Sequence, residues 1–358
     1  MTTITMLLFV AGFVLLIWGA DMLVRGAAHL AAAAGVSALV IGLTVVAIGT
    51  SAPELAVSVQ AALAGQPDLT LGNVLGSNIA NVLLILGLAA VVAPLLVAPQ
   101  LLRREVPAMI AVSGLVWLLA TDGALGRLDG ALLVSLLGAF LITSAWLARR
   151  ASTPLADPEP SGSLTRGSPL RNIALVIGGL ILLIVGAQWL VDGAVAIARI
   201  LGVSELVIGL TVIAVGTSLP EIATSVLAGI RGERDIAVGN VVGSNIINLL
   251  GVLGATALLA PQAIVVPPAA LSFDLPVMFA TAVACLPIFF NGQMIARWEG
   301  MLFLGYYLAY TTFLVLAAVG SRQIETFTDA MLFFVLPLTA LTVAVATYRS
   351  LRAAPRPD

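Results

Sequence analysis

Two glutamates stand where a charge is hardest to keep. Glu54 and Glu221 each lie inside a long apolar segment and directly follow the same short phrase, GTSAP at 49–53 and GTSLP at 216–220. A charge at membrane depth costs roughly 3 kcal/mol by insertion scales, so something must compensate it. No basic residue lies within about a dozen positions of Glu54, and the nearest to Glu221 is Arg231, expected near a membrane surface. A bound cation is therefore the leading compensation. The neighbouring residues suit one. Thr50, Ser51, Thr217 and Ser218 offer hydroxyls, while Ser77 with Asn81 and Ser244 with Asn248 stand at i and i+4, each pair on one helix face. Pro53 and Pro220 lack an N–H and clash with the carbonyl four residues back. Their segments are expected to break, turning the carbonyls of Gly49 and Gly216, and those of neighbours such as Ala47 and Ala214, toward a ligand. Carboxylate, amide, hydroxyl and carbonyl oxygens suit hard cations: Ca²⁺, which takes about 6–8 oxygens, and Na⁺, rather than zinc or copper.

The constellation occurs twice. At a fixed offset of about 167 residues, without a gap, about 33 of about 53 positions are identical, which marks an internal duplication. The likeness reaches upstream as well, where GADMLVRGA at 19–27 matches GAQWLVDGA at 186–194. Glycines 72, 76, 239 and 243 would let helices approach closely.

The elements that position these residues are membrane helices. With 60% hydrophobic and 9% charged residues, the chain is a polytopic membrane protein rather than a soluble domain. Eleven apolar runs are expected at 4–24, 36–63, 71–93, 105–121, 128–148, 172–192, 203–230, 238–260, 271–290, 300–319 and 328–348. The first reads as a retained helix, since MTTITMLLFV has no basic leader. All sixteen basic residues are arginines. An outside N-terminus places thirteen of them in cytoplasmic loops and only Arg127, Arg199 and Arg322 outside, so the C-terminus is expected in the cytoplasm. Ala-, Leu- and Gly-rich helices with arginine as the sole base suggest a prokaryotic plasma (inner) membrane.

Residues 149–171, rich in Pro, Ser and Arg, read as a cytoplasmic linker too short to fold alone. The expected organisation is a five-helix half at 1–148, the linker, a second half at 172–319, and an accessory eleventh helix with a tail at 320–358. Five crossings are odd, so the halves enter the membrane with opposite polarity. That is an inverted 5+5 repeat, with its binding site expected near the midplane.

The paired phrases GTSAPE…GNVLGSNIAN and GTSLPE…GNVVGSNIIN resemble the two α-repeats of the cation/calcium exchanger superfamily, the sodium/calcium exchangers and their prokaryotic relatives, here at 42–87 and 209–254. The resemblance covers ten of the eleven helices. It implies a central cation cluster in which Glu54 and Glu221 are the main Ca²⁺ ligands. Thr50, Ser51, Thr217, Ser218, Ser77 and Ser244 would supply Na⁺-site hydroxyls, Ala47 and Ala214 carbonyls, and Asn81 and Asn248 the remaining centre. Many members carry an aspartate in place of Asn248, so this site has two carboxylates rather than three. The resemblance thus implies an antiporter exporting Ca²⁺ in exchange for Na⁺, and exchange of three Na⁺ per Ca²⁺ would add about 2.3 kcal/mol per 100 mV. Ca²⁺/H⁺ antiport by the same glutamates is the alternative, because a carboxyl in a dry site favours its neutral form.

Other readings are weaker. The hydroxyls could merely satisfy backbone freed by the prolines, and the glycines could serve ordinary packing. Asp21 with Arg25, Asp192, Asp274 and Glu299 read as solvated or snorkelling charges. An intramembrane hydrolase using Ser51 or Ser218 lacks a base, since His29, the single histidine, is outside the repeats, so no enzyme is expected. Cys285 is also alone, which excludes an intrachain disulfide. The arginines form no basic stripe, so no nucleic-acid partner is expected. Ca²⁺ and Na⁺ or H⁺ are cargo rather than cofactors; membrane lipid is the surrounding partner, and the oligomeric state stays open.

Overall fold

The computed structural model describes residues 3–151, 168–202 and 214–353. Its elements are α1 (Thr3–Ala34), α2 (Ala38–Thr50), α3 (Ala52–Leu63), α4 (Pro67–Val92), α5 (Leu101–Asp122) and α6 (Arg127–Ala151). After the linker come α7 (Pro169–Ile200), α8 (Ala214–Thr217), α9 (Leu219–Ile230), α10 (Arg234–Leu259), α11 (Ala270–Phe290) and α12 (Arg297–Ala318). The last, α13, spans Gln323–Thr342 and continues to Ala353. Among the described residues nine helices are long and apolar enough to cross a membrane, or ten with α2 and α3 counted as one bent span. The remaining expected run, 203–230, is represented by α8 and α9, and residues 203–213 lie outside the described residues. The protein is an all-α, multi-pass membrane protein.

Burial sorts the helices. The most apolar windows of α10 and α4 are 94% and 78% buried, whereas that of α13 is not buried at all. The two helices carrying the Ser/Asn faces thus form the centre, and the accessory helix is peripheral. Two short antiparallel sheets tie the halves together. Strand β1 (Leu95–Leu96) pairs with β4 (Met294–Ile295), and β2 (Ala124–Leu125) with β3 (Ile264–Val265). The eleven-run count puts the two connections of each bonded pair on the same membrane side, so the strands that bond are those that crossing parity allows to meet.

Helices α1 and α7 run antiparallel along a seam of glycines seven residues apart. A Cβ on Gly12 would lie 2.8 Å from the Gly186 carbonyl oxygen, and one on Gly19 would lie 2.8 Å from that of Gly179. Without side chains at these points the backbones approach closely, as in other small-residue helix interfaces. Both helices outrun the expected spans of 4–24 and 172–192, reaching 32 residues each. At about 1.5 Å per residue that is about 48 Å, against a hydrocarbon core of about 30 Å, so they cross tilted or project beyond it.

The expected apolar run of α1 ends at residue 24, but the helix continues to Ala34. Asp21 is buried and ion-paired to both Arg25 and Arg231, the latter at the C-terminal end of α9. This corrects the reading of Asp21 as a solvated charge: two arginines from different halves neutralise it. At the duplicated positions Gln188 and Asp192 replace Asp21 and Arg25, and Ala64 replaces Arg231, so the tether exists at one end only. Arg231→Ala should lower thermal stability by about 1–2 kcal/mol, between the values of exposed and fully buried pairs. Thermal unfolding of the purified protein in detergent measures it. Glu299 is likewise no snorkelling charge. Its carboxylate accepts from Asn291 Nδ2 and the Ala296 N–H, both at 2.8 Å, and caps α12. Asp274 accepts from the Tyr310 hydroxyl at 2.9 Å.

Candidate cation site

The prolines act where the sequence places them. Ser51 (φ −79°, ψ 2°) and Ser218 (φ −88°, ψ 6°) leave helical geometry just before Pro53 and Pro220 take the second positions of α3 and α9. The first break bends its span by 41°. Each glutamate therefore sits in the first turn of a short helix starting inside the protein, a position with unpaired N–H groups that favours negative charge. The two central helices are disturbed in step: π-helical turns begin at Asn81 in α4 and at Asn248 in α10. Such bulges occur frequently at functional sites.

Glycines bring these pieces together. A Cβ on Gly243 would meet the Leu43 carbonyl oxygen at 2.6 Å and the Ala47 Cβ at 2.9 Å, so α10 lies directly on α2. For Gly72 and Gly76 the duplicated counterpart of that surface, 203–213, lies outside the described residues. The breaks themselves face α7. A Cβ on Gly49 would strike Leu180, and one on Gly216 would strike Val191.

At the centre Glu54 and Glu221 are 1% and 0% exposed. Among the described residues neither carboxylate forms an ion pair with a basic side chain. Oxygen donors from both halves surround them. The Ser218 hydroxyl donates to Glu54 Oε1 at 3.4 Å, joining the second break to the first glutamate. Asn81 Nδ2 donates to Asn245 Oδ1 at 2.9 Å, joining α4 to α10. Among the described residues several polar atoms here have no hydrogen-bond partner: both Glu221 oxygens, Glu54 Oε2, the hydroxyls of Ser51, Ser77 and Ser244, Asn81 Oδ1, and both ends of the Asn248 amide. A buried group left unpaired costs about 1–3 kcal/mol, more if charged. So many orphaned atoms in one place is what a site for an oxygen-ligated cation requires.

Of the twelve expected site residues, the structure buries Glu54, Glu221, Asn81, Asn248, Thr50, Ser51, Ser218, Ser77, Ser244 and Ala47, and Thr217 is half-buried. Ala214 opens α8. The Ala47 carbonyl accepts the Ser51 N–H at 3.0 Å, so its helix bond survives the break and a second lone pair is what it has to offer. Sequence reasoning missed a ring of polar residues behind these. Asn73 Nδ2 donates to Ser58 Oγ at 2.9 Å, and at the duplicated positions Asn240 Nδ2 donates to Ser225 Oγ at 3.0 Å. Both pairs were visible as invariants of the internal repeat, and each serine stands four residues after its glutamate on the same helix face.

Comparison with known proteins agrees with this geometry. A family model described as sodium/calcium exchanger protein matches residues 4–146 and 171–316. The chain is 44% identical over 238 residues to the inner membrane protein YrbG of Escherichia coli strain K12, covering 65% of this chain and 73% of that one. It is 34% identical over 345 residues to the sodium/calcium exchanger MaX1 of Methanosarcina acetivorans, covering 87% and 98%. Among solved structures, the sodium-calcium exchanger NCX_Mj soaked with Na⁺ and Sr²⁺ matches with a TM-score of 0.74 at 33% identity, covering 86% of this chain and 98% of that one.

Proposed function

The chain belongs to the sodium/calcium exchanger family, and we propose that it is a secondary antiporter exporting Ca²⁺ in exchange for Na⁺ at a single oxygen-lined site shared by its two halves. The observation that carries this is the buried pair Glu54 and Glu221, one from each half, with no basic partner among the described residues and a shell of unpaired oxygens around them. Two carboxylates neutralise one Ca²⁺ or two Na⁺. The ions therefore compete for the same charge, which is what coupling one gradient to another requires. In this reading residues 1–148 and 172–319 are the two inverted halves and alternating access exposes the site to each side in turn. The N-terminus lies outside and the C-terminus in the cytoplasm of a prokaryotic inner membrane. The meeting of Arg25 and Arg231 at one carboxylate supports placing both on the same membrane side, as that topology does.

The site residues are read as follows. Glu54 and Glu221 hold Ca²⁺. Thr50, Ser51, Ser77, Thr217, Ser218 and Ser244 provide hydroxyls for Na⁺, with the carbonyls of Ala47 and Ala214, and Asn81 and Asn248 complete the centre. Purified protein in lipid vesicles tests the coupling ion. An outward Na⁺ gradient should drive uptake of radiolabelled Ca²⁺, and an outward H⁺ gradient alone should not; the opposite result replaces this reading with Ca²⁺/H⁺ antiport.

Asn248 makes the site less acidic than it could be. Asn248→Asp adds a third carboxylate beside the ion, and at an effective dielectric of about 20 even a charge about 10 Å away contributes about 1.7 kcal/mol. The half-saturating Ca²⁺ concentration in vesicle uptake should fall at least about tenfold. An unchanged value would place Asn248 away from the ion.

A further inference from the structure

Resting on the exchange reading above, the structure assigns Asn73 and Asn240 as positioning residues: each amide fixes the hydroxyl of the threonine in the opposite half, so that its oxygen faces the cation as an acceptor. Asn240 Oδ1 accepts from the Thr50 hydroxyl at 3.1 Å, and Asn73 Oδ1 accepts from the Thr217 hydroxyl at 3.4 Å. These contacts are reciprocal. Thr50 and Thr217 occupy duplicated positions, as do Asn73 and Asn240, and each bond crosses from one half to the other.

The direction of these bonds follows from the partners of the amide nitrogens. Asn73 Nδ2 lies 3.1 Å from the backbone carbonyl oxygen of Glu54, which can only accept. The nitrogen must therefore face the Glu54 helix, and the amide oxygen is left for Thr217. The same orientation recurs in the second half, where Asn240 Nδ2 is engaged by Ser225 and its oxygen meets Thr50.

A threonine hydroxyl has one proton and two lone pairs. Committing the proton to an amide oxygen leaves the lone pairs as the only thing the hydroxyl can present elsewhere, which is the polarity a cation ligand needs. Two other acceptors compete for the Thr50 proton: the Ala47 carbonyl oxygen, farther away at 3.5 Å, and the Glu221 carboxylate, which a bound cation would engage instead. An amide orients the hydroxyl without adding charge, so the net charge of the site stays with the two glutamates. Because each threonine is oriented by the other half, the two halves must be docked for both hydroxyls to be set.

A double-mutant cycle tests this, with Asn240→Leu, Thr50→Val and the two combined. Vesicle uptake of radiolabelled Ca²⁺ gives the half-saturating concentrations of Ca²⁺ and of Na⁺. Each single change should raise at least one of them about tenfold, the size of one well-placed hydrogen bond, while the maximal rate is largely kept. The double variant should be no worse than Thr50→Val alone, because the asparagine acts through the threonine. Ser225→Ala removes the partner of the Asn240 nitrogen and frees the amide to turn, so it should raise the same half-saturating concentration by less than Asn240→Leu does. Losses that multiply to about a hundredfold in the double variant, or no change in either ion with Asn240→Leu, overturn the assignment. If Asn240→Leu is not monodisperse, the mirror cycle of Asn73→Leu with Thr217→Val is read by the same criteria. A wild type whose Ca²⁺ uptake ignores Na⁺ contradicts the exchange reading instead, and the cycle is still decided by the Ca²⁺ values.

Discussion

Replacing either Glu54 or Glu221 by glutamine should abolish Ca²⁺ exchange without destabilising the protein. Each substitution removes one of two charges facing a divalent ion. At about 4 Å and an effective dielectric near 20 that charge is worth about 4 kcal/mol for each unit charge of the ion, so affinity should fall by roughly a thousandfold or more. Glutamine nearly matches the volume of glutamate and keeps one acceptor oxygen, so packing at these buried positions is preserved. In the absence of cation the stability effect runs the other way. Two buried carboxylates that repel one another are relieved when one becomes neutral, and the melting temperature of the cation-free protein should stay level or rise. Vesicle uptake and thermal unfolding on the same preparations separate the two effects. If the glutamates were structural, each variant would unfold at lower temperature and any loss of transport would follow from that.

The second large effect is expected at the seam between α1 and α7. A Cβ on Gly179 would lie 2.6 Å from the Leu23 backbone nitrogen and 2.7 Å from the Gly19 carbonyl oxygen. Both are backbone atoms, so no side chain can turn aside and the helices must separate. Gly179→Ala should therefore cost about 1–3 kcal/mol, as overpacked interiors do, and Gly179→Val more. Gly305 in α12 is the matched control, since nothing lies within 4 Å of a Cβ built there. Gly305→Ala should be neutral or stabilise by up to about 1 kcal/mol, the difference in helix propensity. Comparing both melting temperatures isolates close approach from glycine content. Equal behaviour of the two would mean that the seam does not hold the helices.

Much of this was legible in the sequence because the chemistry is written twice. The repetition of GTS, PE, GN and GSN against a varying apolar background singled out the glutamates and their hydroxyls, and the structure gathers those residues in one buried place. The helix runs were legible from hydropathy, which reports lipid contact well. It reports protein contact poorly. Hydropathy ended α1 at residue 24, whereas Asp21, neutralised by Arg25 and by the distant Arg231, lets the helix continue to Ala34. No sequence window contains both partners of that bond. Glu299 misled for a similar reason: its capping contacts depend on the turn at 291–296. Asn73 and Asn240 were present in the doubled motif, but the glycine beside each was read and the asparagine passed over, since its role needs a threonine about 144 or 190 residues away to be seen. The π-helical turns at Asn81 and Asn248 have no sequence signature at all.

On the proposed mechanism Glu54 and Glu221 jointly build one cation site. Equilibrium binding of radiolabelled Ca²⁺ to the purified protein, with and without Na⁺, tests it most directly in the wild type and in Glu54→Gln combined with Glu221→Gln. Saturable binding that Na⁺ displaces is expected in the wild type, and none in the double variant. Ca²⁺ binding that persists unchanged in the double variant would place the site elsewhere.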